Sequence, residues 1–125
     1  MRSDVQAAAC SACEQLDDGS LRQSFRFDED FIGFAGHFPD YPVVPAIAQM
    51  LAAQLMIEQQ HPEGMALLSV SHAKFLQQLP PMKDFRVECR AKTDNALCYD
   101  AKVFLDDARA ASFRLTFNRR EHVDD

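Results

Sequence analysis

One long apolar segment restricts the folds open to this chain more than any other feature. Residues 46–60 are strong helix formers, and they place apolar side chains on almost every side of a helix until Glu58. A helix of this composition is buried within a fold. Pro45 suits the first position of such a helix, and His-Pro-Glu-Gly at 61–64 is typical of its end. The rest of the chain must therefore enclose this helix.

The remainder of the chain supplies strands with one apolar and one polar face. Residues 21–27 alternate in this way, and four more strand-like runs follow at 67–75, 85–92, 97–105 and 111–117. Such alternation is typical of an antiparallel sheet with one solvated face. The connections at 93–95 and 106–107 are short, so the last strands are expected to pair as a meander. Helix and sheet can satisfy each other if the sheet wraps round the helix, which predicts an α+β domain.

The length of 125 residues corresponds to a single domain. We expect an N-terminal arm over 1–19 with a short Ala-rich helix within 2–16, a core over 20–118 and a charged tail over 119–125. No stretch approaches about 18 uninterrupted apolar residues, and the first residues lack the pattern of a secretory signal. A cytoplasmic location is therefore expected.

The charge balance narrows the range of partners. Thirteen Lys and Arg residues against nineteen Asp and Glu residues give a net charge of −6. A negative chain is poorly suited to non-specific binding of nucleic acid or of an anionic membrane surface. We therefore expect neither nucleic acid nor membrane as a partner.

The four cysteines indicate no cofactor or metal. Cys10 and Cys13 form a CxxC motif, but no second pair of ligands follows, so two small thiols on one helical turn are expected there. Cys89 and Cys98 lie in neighbouring predicted strands and are expected to pack as buried, reduced thiols.

A rigid loop precedes the apolar helix. Three prolines within seven positions of residues 34–45 exclude a regular helix or a central strand, and this loop carries His37. The other histidines are expected to have structural or surface roles. His61 is predicted to be a solvated residue at the helix end, His72 lies in a strand, and His122 lies in the tail.

Residues 34–46, Phe-Ala-Gly-His-Phe-Pro-Asp-Tyr-Pro-Val-Val-Pro-Ala, resemble a characteristic motif of the 3-hydroxyacyl-[acyl-carrier-protein] dehydratases of the FabZ and FabA type. That motif reads roughly F-x-G-H-F-P-x-x-P-V-x-P-G and precedes a central helix. The matching positions are Phe34, Gly36, His37, Phe38, Pro39, Pro42, Val43 and Pro45. A second stretch, residues 73–87, looks like the family's K-F-x-x-P-V-x-P-G-D-x-L segment. The resemblance implies a hotdog fold, and a dimer with a continuous sheet and shared active sites.

The resemblance also implies a reaction. It is the dehydration of a 3-hydroxyacyl thioester on acyl carrier protein to the trans-2-enoyl thioester, in fatty-acid or related lipid or polyene biosynthesis. His37 would be the base, because a neutral imidazole accepts protons near neutral pH. Gly36 and the backbone N–H of Ala46, at the helix N-terminus, would bind the thioester oxygen. The family has Gly where this chain has Ala46, which keeps the N–H and adds a methyl group.

The general acid of the family has no counterpart on the helix. The family places Glu or Asp where this chain has Leu51, or Met50 in a register one residue shorter. Glu58 is seven positions beyond Leu51, about 10 Å along the helix at ~1.5 Å per residue, which is too far for direct replacement. Asp40 could supply the acid or orient His37, although a solvated turn residue is the simpler interpretation. Gln49 could hold a water or the substrate oxygen.

The expected substrate pocket is apolar, with ordinary core packing as the alternative for most of its members. The residues expected to line it are Phe34, Phe38, Pro45, Gln49, Gln54 and Phe75. The expected carrier is acyl carrier protein or coenzyme A, and the expected assembly is a homodimer or a higher even oligomer. Because acyl carrier proteins are acidic, a local basic patch is needed to dock one. Candidates on the strands or their ends are Lys74, Arg86, Arg90, Lys92, Arg114, Arg119 and Arg120.

Two alternative functions remain open at the level of sequence. The missing carboxylate favours a non-catalytic acyl-thioester-binding subunit, whose hetero-partner would supply the acid. A hotdog thioesterase is the second alternative, in which His37 or Asp40 would activate water.

Overall fold

The computed structural model describes residues 2–28 and 44–119, in which one antiparallel sheet wraps round one long helix. The elements in chain order are α1 (Arg2–Ala7), β1 (Glu14–Gln15), β2 (Leu21–Phe25), α2 (Ala46–Gln59), β3 (Met65–Phe75), β4 (Phe85–Lys92), β5 (Asn95–Leu105) and β6 (Ala108–Arg119). The six strands lie in the order β1-β2-β4-β5-β6-β3. This architecture is the α+β hotdog fold, as predicted.

The meander is confirmed for β4, β5 and β6, which pair in sequence. Asp106 and Asp107 join the last two strands and both have positive φ angles, of 51° and 65°. Positive φ at both central residues is the requirement of a type I′ hairpin turn, whose twist matches the flanking strands. β3 does not continue the meander, because it crosses over to pair with β6 and forms one edge of the sheet.

The alternation of each central strand places its apolar side chains against α2. Val87, Ala101, Val103 and Leu115 are at most 1% exposed. The helix presents a closely packed face whose members are also completely buried: Ala48, Ala52, Ala53, Met56 and Ile57. Small side chains on this face let the helix approach the sheet closely. The predicted burial of the helix is therefore confirmed for most of its circumference, although Ile47 is 63% exposed.

The N-terminal arm differs from the prediction of a helix within residues 2–16. α1 ends at Ala7, and the next residues pair with the free edge of β2. Cys10 N–H donates to the carbonyl of Ser24 at 2.9 Å, and Arg26 N–H donates to that of Ala8 at 2.8 Å. The edge of β2 offers these backbone groups partners, so pairing with the sheet replaces further helical hydrogen bonds.

Of the two predictions for the cysteines, one is wrong and one is confirmed. Cys10 and Cys13 follow α1 and do not share a helical turn, so that expectation was wrong. Cys89 and Cys98 are buried free thiols, as predicted. Within residues 2–28 and 44–119, no cluster of three or more His, Cys, Asp or Glu side chains is arranged to hold a metal ion. No helix in the described part of the chain is long and apolar enough to cross a membrane.

Candidate active site

The N-terminus of α2 has no side-chain cap among the residues that the structure describes. Pro45 occupies the N-cap position with φ −67° and offers no side-chain hydrogen bond. Its carbonyl accepts the N–H groups of Ala48 and Gln49 at 3.0 and 3.2 Å. The N–H groups of Ala46 and Ile47 have no acceptor among the described residues. Free amides at a helix N-terminus carry partial positive charge, so this turn is suited to bind an oxygen that gains negative charge.

The backbone that enters α2 is held in place from two sides. Val44 N–H donates to the carbonyl of Leu79 at 2.7 Å, and both side chains are buried. Leu79 belongs to the connection between β3 and β4. On the other side, Nε2 of Gln49 donates to the carbonyl of Val44 at 3.1 Å. These contacts fix the point where the proline-rich loop meets the helix.

Gln49 itself is an unusual residue for this position. Its side chain is on the first turn of α2 and is 4% exposed. Its second polar atom, Oε1, is buried and has no hydrogen-bond partner within the described parts of the chain. Buried polar atoms are nearly always paired, so a buried amide oxygen without a donor marks a place where a ligand or a water can bind.

The position of the expected acid carries no ionisable group. Met50 and Leu51 are partly buried and pack against the core. Glu58 is held elsewhere, since its carboxylate accepts from Arg2 at 2.7 and 3.0 Å and from Nε2 of Gln54 at 2.8 Å. Gln54 therefore interacts toward the C-terminal half of α2. Neither Glu58 nor Gln54 is free to act at the N-terminal turn.

Most of the predicted catalytic loop lies outside the described residues. This applies to Phe34, Gly36, His37, Phe38 and Asp40. Their predicted roles therefore remain predictions, and the structure describes only the end of the loop, at Val44 and Pro45.

Phe75, a predicted pocket residue, lies at the end of β3. Its ring stacks on that of Phe113 with centroids 6.4 Å apart, and it remains 44% exposed. Two further exposed apolar side chains are near this edge of the sheet, Leu68 and Leu76, each 61% exposed. The edge strand β3 thus presents apolar surface to its surroundings.

The outer face of the sheet, on the side away from α2, is basic. The strand registers place Glu88, Lys102, Ser112 and Lys74 in one row across the sheet. A groove of about 850 Å³ runs over this face. Its cationic lining consists of Lys74, Arg90, Lys92, Lys102, Arg109 and Arg114, against the acids Asp18, Glu88 and Asp100. We call these six cationic residues the basic face.

The ion pairs distinguish the members of the predicted docking patch. Arg86 pairs with Glu88 at 2.8 Å, and Arg114 pairs with Asp100 at 2.9 Å. The side chain of Arg86 also covers the ring of Phe104. Lys74 and Lys92 have no such pair among the described residues, and Arg120 lies outside them.

The prediction of the docking patch missed Lys102 and Arg109, which also line the groove and have no ion pair within the described ranges. The alternation of β5 places Lys102 on its polar face, so this residue could have been found. Arg109 was missed because the predicted strand began at residue 111, whereas β6 begins at Ala108.

His61 does not have the solvated role that its position at the helix end suggested. Its Nε2 lies 3.0 Å from the hydroxyl of Tyr99, and its Nδ1 lies 3.2 Å from Glu63. Burial raises the pKa of the Tyr99 hydroxyl. This arrangement ties the end of α2 to β5, at the opposite end of the helix from Pro45. His72 is exposed on β3, which is the surface role among the structural and surface roles expected for it.

Comparison with known proteins agrees with these observations. A curated relative, a 3-hydroxyacyl-[acyl-carrier-protein] dehydratase FabZ from Halalkalibacterium halodurans, is 32% identical over 85 residues. This alignment covers 60% of the chain and spans 59% of the relative's length.

Two solved structures share the fold at lower identity. The dehydratase heterocomplex ApeI:P from Xenorhabdus doucetiae matches with a TM-score of 0.76 at 20% identity, over 89% of this chain and 96% of that one. A mutant thioesterase from Pseudomonas aeruginosa matches with a TM-score of 0.64 at 21% identity, over 84% and 77% of the two chains. Dehydratases and thioesterases thus share this architecture, so the fold does not discriminate between them.

The family model described as ApeI-like, ApeI dehydratase, matches residues 13–114. This match extends from the arm that pairs with β2 to the middle of β6, and so includes α2 and its N-terminal turn. The chain therefore belongs to the ApeI-like dehydratase family of hotdog proteins.

Proposed function

We propose that this protein dehydrates a 3-hydroxyacyl thioester, carried on acyl carrier protein or coenzyme A, to the trans-2-enoyl thioester. Such a reaction belongs to fatty-acid or related lipid or polyene biosynthesis. The observation that carries the proposal is the first turn of α2, whose Ala46 and Ile47 N–H groups have no acceptor within residues 2–28 and 44–119 and which follows the His37 loop in the sequence. Membership of a dehydratase family and the FabZ relative support it.

The chemistry requires a base and an oxyanion site. A base at His37 removes the α-proton, and the electron pair moves toward the thioester carbonyl. The N–H groups of Ala46 and Ile47 stabilise the negative charge that develops on the carbonyl oxygen. The electrons then form the α,β double bond, the β-carbon to oxygen bond breaks, and the hydroxyl leaves as water after it takes up a proton.

The proton donor for the hydroxyl is the open step of this mechanism. Leu51 and Met50 cannot provide it, and losing a general acid typically lowers the rate by about 10²- to 10⁴-fold. We propose two sources, Asp40 from the same loop or a carboxylate from a second subunit. Asp40 is three residues from His37 in the sequence, and neither source requires a carboxylate on α2.

We propose that a dimer forms through the edge strand β3, and the geometry of the sheet supports this proposal. β3 pairs with β6 on one side, and its other side has no partner strand within the described residues. It is 11 residues long and carries the exposed Leu68. Open edges of this length and character favour pairing with another strand. A second copy would continue the sheet, and even-numbered assemblies would follow from such dimers.

The basic face supports docking of an acidic carrier protein. In a chain with a net charge of −6, six cations line one groove. Leu76, which lines this groove, is linked to the site, because it is three residues before Leu79, whose carbonyl accepts a hydrogen bond from Val44 N–H. Three residues span at most about 11 Å at 3.3–3.6 Å each. A carrier bound near Leu76 would therefore be near the N-terminus of α2.

The proposal is tested by the dehydration of 3-hydroxyacyl thioesters of several chain lengths, with the wild type and His37→Ala compared. We expect enoyl formation by the wild type and none above background by His37→Ala. Leu51→Glu is the informative companion, since a carboxyl group restored to the family's acid position is expected to raise the rate. No enoyl product with any chain length would contradict the proposal.

A second candidate function is a non-catalytic acyl-binding subunit. The apolar side chains of Leu51 and Met50 favour it, because they remove the acid while leaving the helix N-terminus open. In that case the chain alone binds an acyl carrier without turnover, and activity appears only when a partner that provides the carboxylate is added. Thioesterase activity is the third possibility and would release free thiol from a simple acyl thioester.

A further inference from the structure

Gln49 combines two properties that rarely occur together. It is 4% exposed, and its amide oxygen Oε1 has no hydrogen-bond partner among the residues that the structure describes. An acceptor buried in this way destabilises the fold unless something donates to it. The residue lies on the first turn of α2, next to Ala46 and Ile47, whose N–H groups have no acceptor in the described part of the chain.

The hydrogen bond that Nε2 of Gln49 makes determines which kind of group its Oε1 can bind. Its Nε2 donates to the carbonyl of Val44 at 3.1 Å, which holds the amide group at the start of the helix. This contact uses the donor side of the amide. The atom left without a partner is an acceptor, so it selects a ligand group that carries a hydrogen.

The substrate of the proposed reaction contains one acceptor and one donor close together. Its thioester carbonyl is an acceptor and matches the N–H groups of Ala46 and Ile47. Its 3-hydroxyl is two carbons away and is a donor. The helix N-terminus therefore presents donors for the first group, and Gln49 presents an acceptor for the second.

We propose that Gln49 is a positioning residue whose Oε1 accepts a hydrogen bond from the 3-hydroxyl of the acyl group, which makes the site selective for 3-hydroxyacyl chains. The inference rests on the proposed function. With its hydrogen directed at Gln49, the hydroxyl keeps its lone pairs available to the proton donor. When the β-carbon to oxygen bond breaks, the oxygen leaves as water and can still donate to Oε1, so the contact persists through the reaction.

Selectivity provides a test that does not require turnover. The probes are two pantetheine amides of equal chain length, one with a 3-hydroxyacyl group and one with the unsubstituted acyl group. The amide replaces the thioester, so the α-proton is much less acidic and the probes persist. We expect the full chain to bind the hydroxylated probe at least about tenfold more tightly, since a site built for a hydroxyl leaves its polar atom unpaired with the other probe.

Two variants separate this role from a purely structural one. Gln49→Met has a similar size and no amide, and we expect it to bind the hydroxylated probe as weakly as the plain probe. Circular dichroism and thermal melting check that the variant is folded, and the readout is the ratio of the two affinities, because loss of the Nε2 contact with Val44 affects both probes alike. Gln59→Met makes the same replacement at an exposed position of the same helix, and the preference should persist in it.

The outcomes that overturn the inference are distinct from those that overturn the proposed function. Equal binding of both probes by the wild type, or an unchanged preference in Gln49→Met, contradicts the role of Gln49 alone. Failure of the wild type to bind either probe contradicts acyl-thioester binding itself, and with it this inference.

Discussion

At the scale of single residues, the burial of Cys89 makes the stability of the fold depend on pH. Cys89 lies on β4 between β2 and β5 and is completely buried, and burial raises the pKa of its thiol far above the ordinary value. The folded chain therefore keeps the proton, whereas the unfolded chain releases it near pH 8.5. The stability that this difference contributes is present below about pH 8.5 and is lost as the pH rises above it.

Because the pKa of the Cys89 thiol is higher in the folded chain, we predict that the free energy of unfolding decreases above about pH 8.5. This one group contributes at most ~1.4 kcal/mol per pH unit to the decrease. Chemical denaturation of the wild type and of Cys89→Ala over this range measures the effect. The decrease should be shallower in Cys89→Ala, because this variant lacks the buried thiol. It should not disappear, because burial also raises the pKa values of Cys13 and Tyr99, which remain in the variant. Identical slopes would contradict the assignment to Cys89.

Individual residues also show the limits of prediction from sequence. The inward or outward direction of Val87 and Lys102 follows from alternation alone, because successive side chains of a strand point to opposite faces. The contact between His61 and Tyr99 joins residues 38 positions apart and has no local signal. That Oε1 of Gln49 has no partner among the described residues likewise depends on which backbone groups surround it, so only the structure reveals it.

At the scale of elements, α2 is the part of the fold that its sequence determines best. The helix runs from Ala46 to Gln59, within one residue of the predicted end, because Pro45 and Pro62 limit it on both sides. The arm before β2 was predicted less well. Its Ala-rich composition favours a helix, but the free edge of β2 offers hydrogen bonds that outweigh this preference after Ala7.

The packing of α2 leads to a prediction on stability. Met56 is completely buried between helix and sheet, whereas Ile47 on the same helix is 63% exposed. Met56→Ala is expected to cost about 2–5 kcal/mol of unfolding free energy, because it leaves a cavity. Ile47→Ala is expected to change it by no more than about 0.5 kcal/mol. Urea denaturation measures both, and equal losses would contradict the placement of the helix.

The edge strand β3 leads to a prediction on assembly. Leu68→Glu puts a charge on the exposed edge that we propose to pair with a second copy, and it is expected to convert a dimer into monomers. Met82→Glu is the matched control, because Met82 is a 48% exposed apolar residue outside β3. Light scattering coupled to size-exclusion chromatography measures the mass. A wild type that is monomeric, or a dimer that survives Leu68→Glu, contradicts the β3 interface.

At the scale of the whole molecule, the uneven distribution of charge indicates where a carrier would dock. The net charge of −6 argues against nucleic acid, yet the outer face of the sheet is basic. Apart from Arg109, the cations of the basic face could be assigned to it from the strand pattern, but their convergence into one groove depends on the crossover that places β3 beside β6. Such long-range pairing has no local sequence signal.

The docking proposal predicts a change in KM. Combined Lys74→Glu and Arg109→Glu substitutions are expected to raise KM for the carrier-bound substrate about tenfold or more and to leave kcat unchanged, because charge at an interface mainly governs encounter. Turnover of a small pantetheine thioester should not change. Arg26→Glu, which replaces a cation outside the groove, is the control. If KM for the carrier-bound substrate stays the same, the carrier docks elsewhere.

The most direct measurement for the whole account is the mass of an acyl group on its carrier. A 3-hydroxyacyl acyl carrier protein is incubated with the full chain and analysed by intact-protein mass spectrometry. We predict the loss of one water from the carrier-bound acyl group, with no loss in the sample that contains His37→Ala. Loss of the whole acyl group would indicate a thioesterase, and an unchanged mass would indicate a non-catalytic subunit. Either result would contradict the proposal that this chain is a dehydratase.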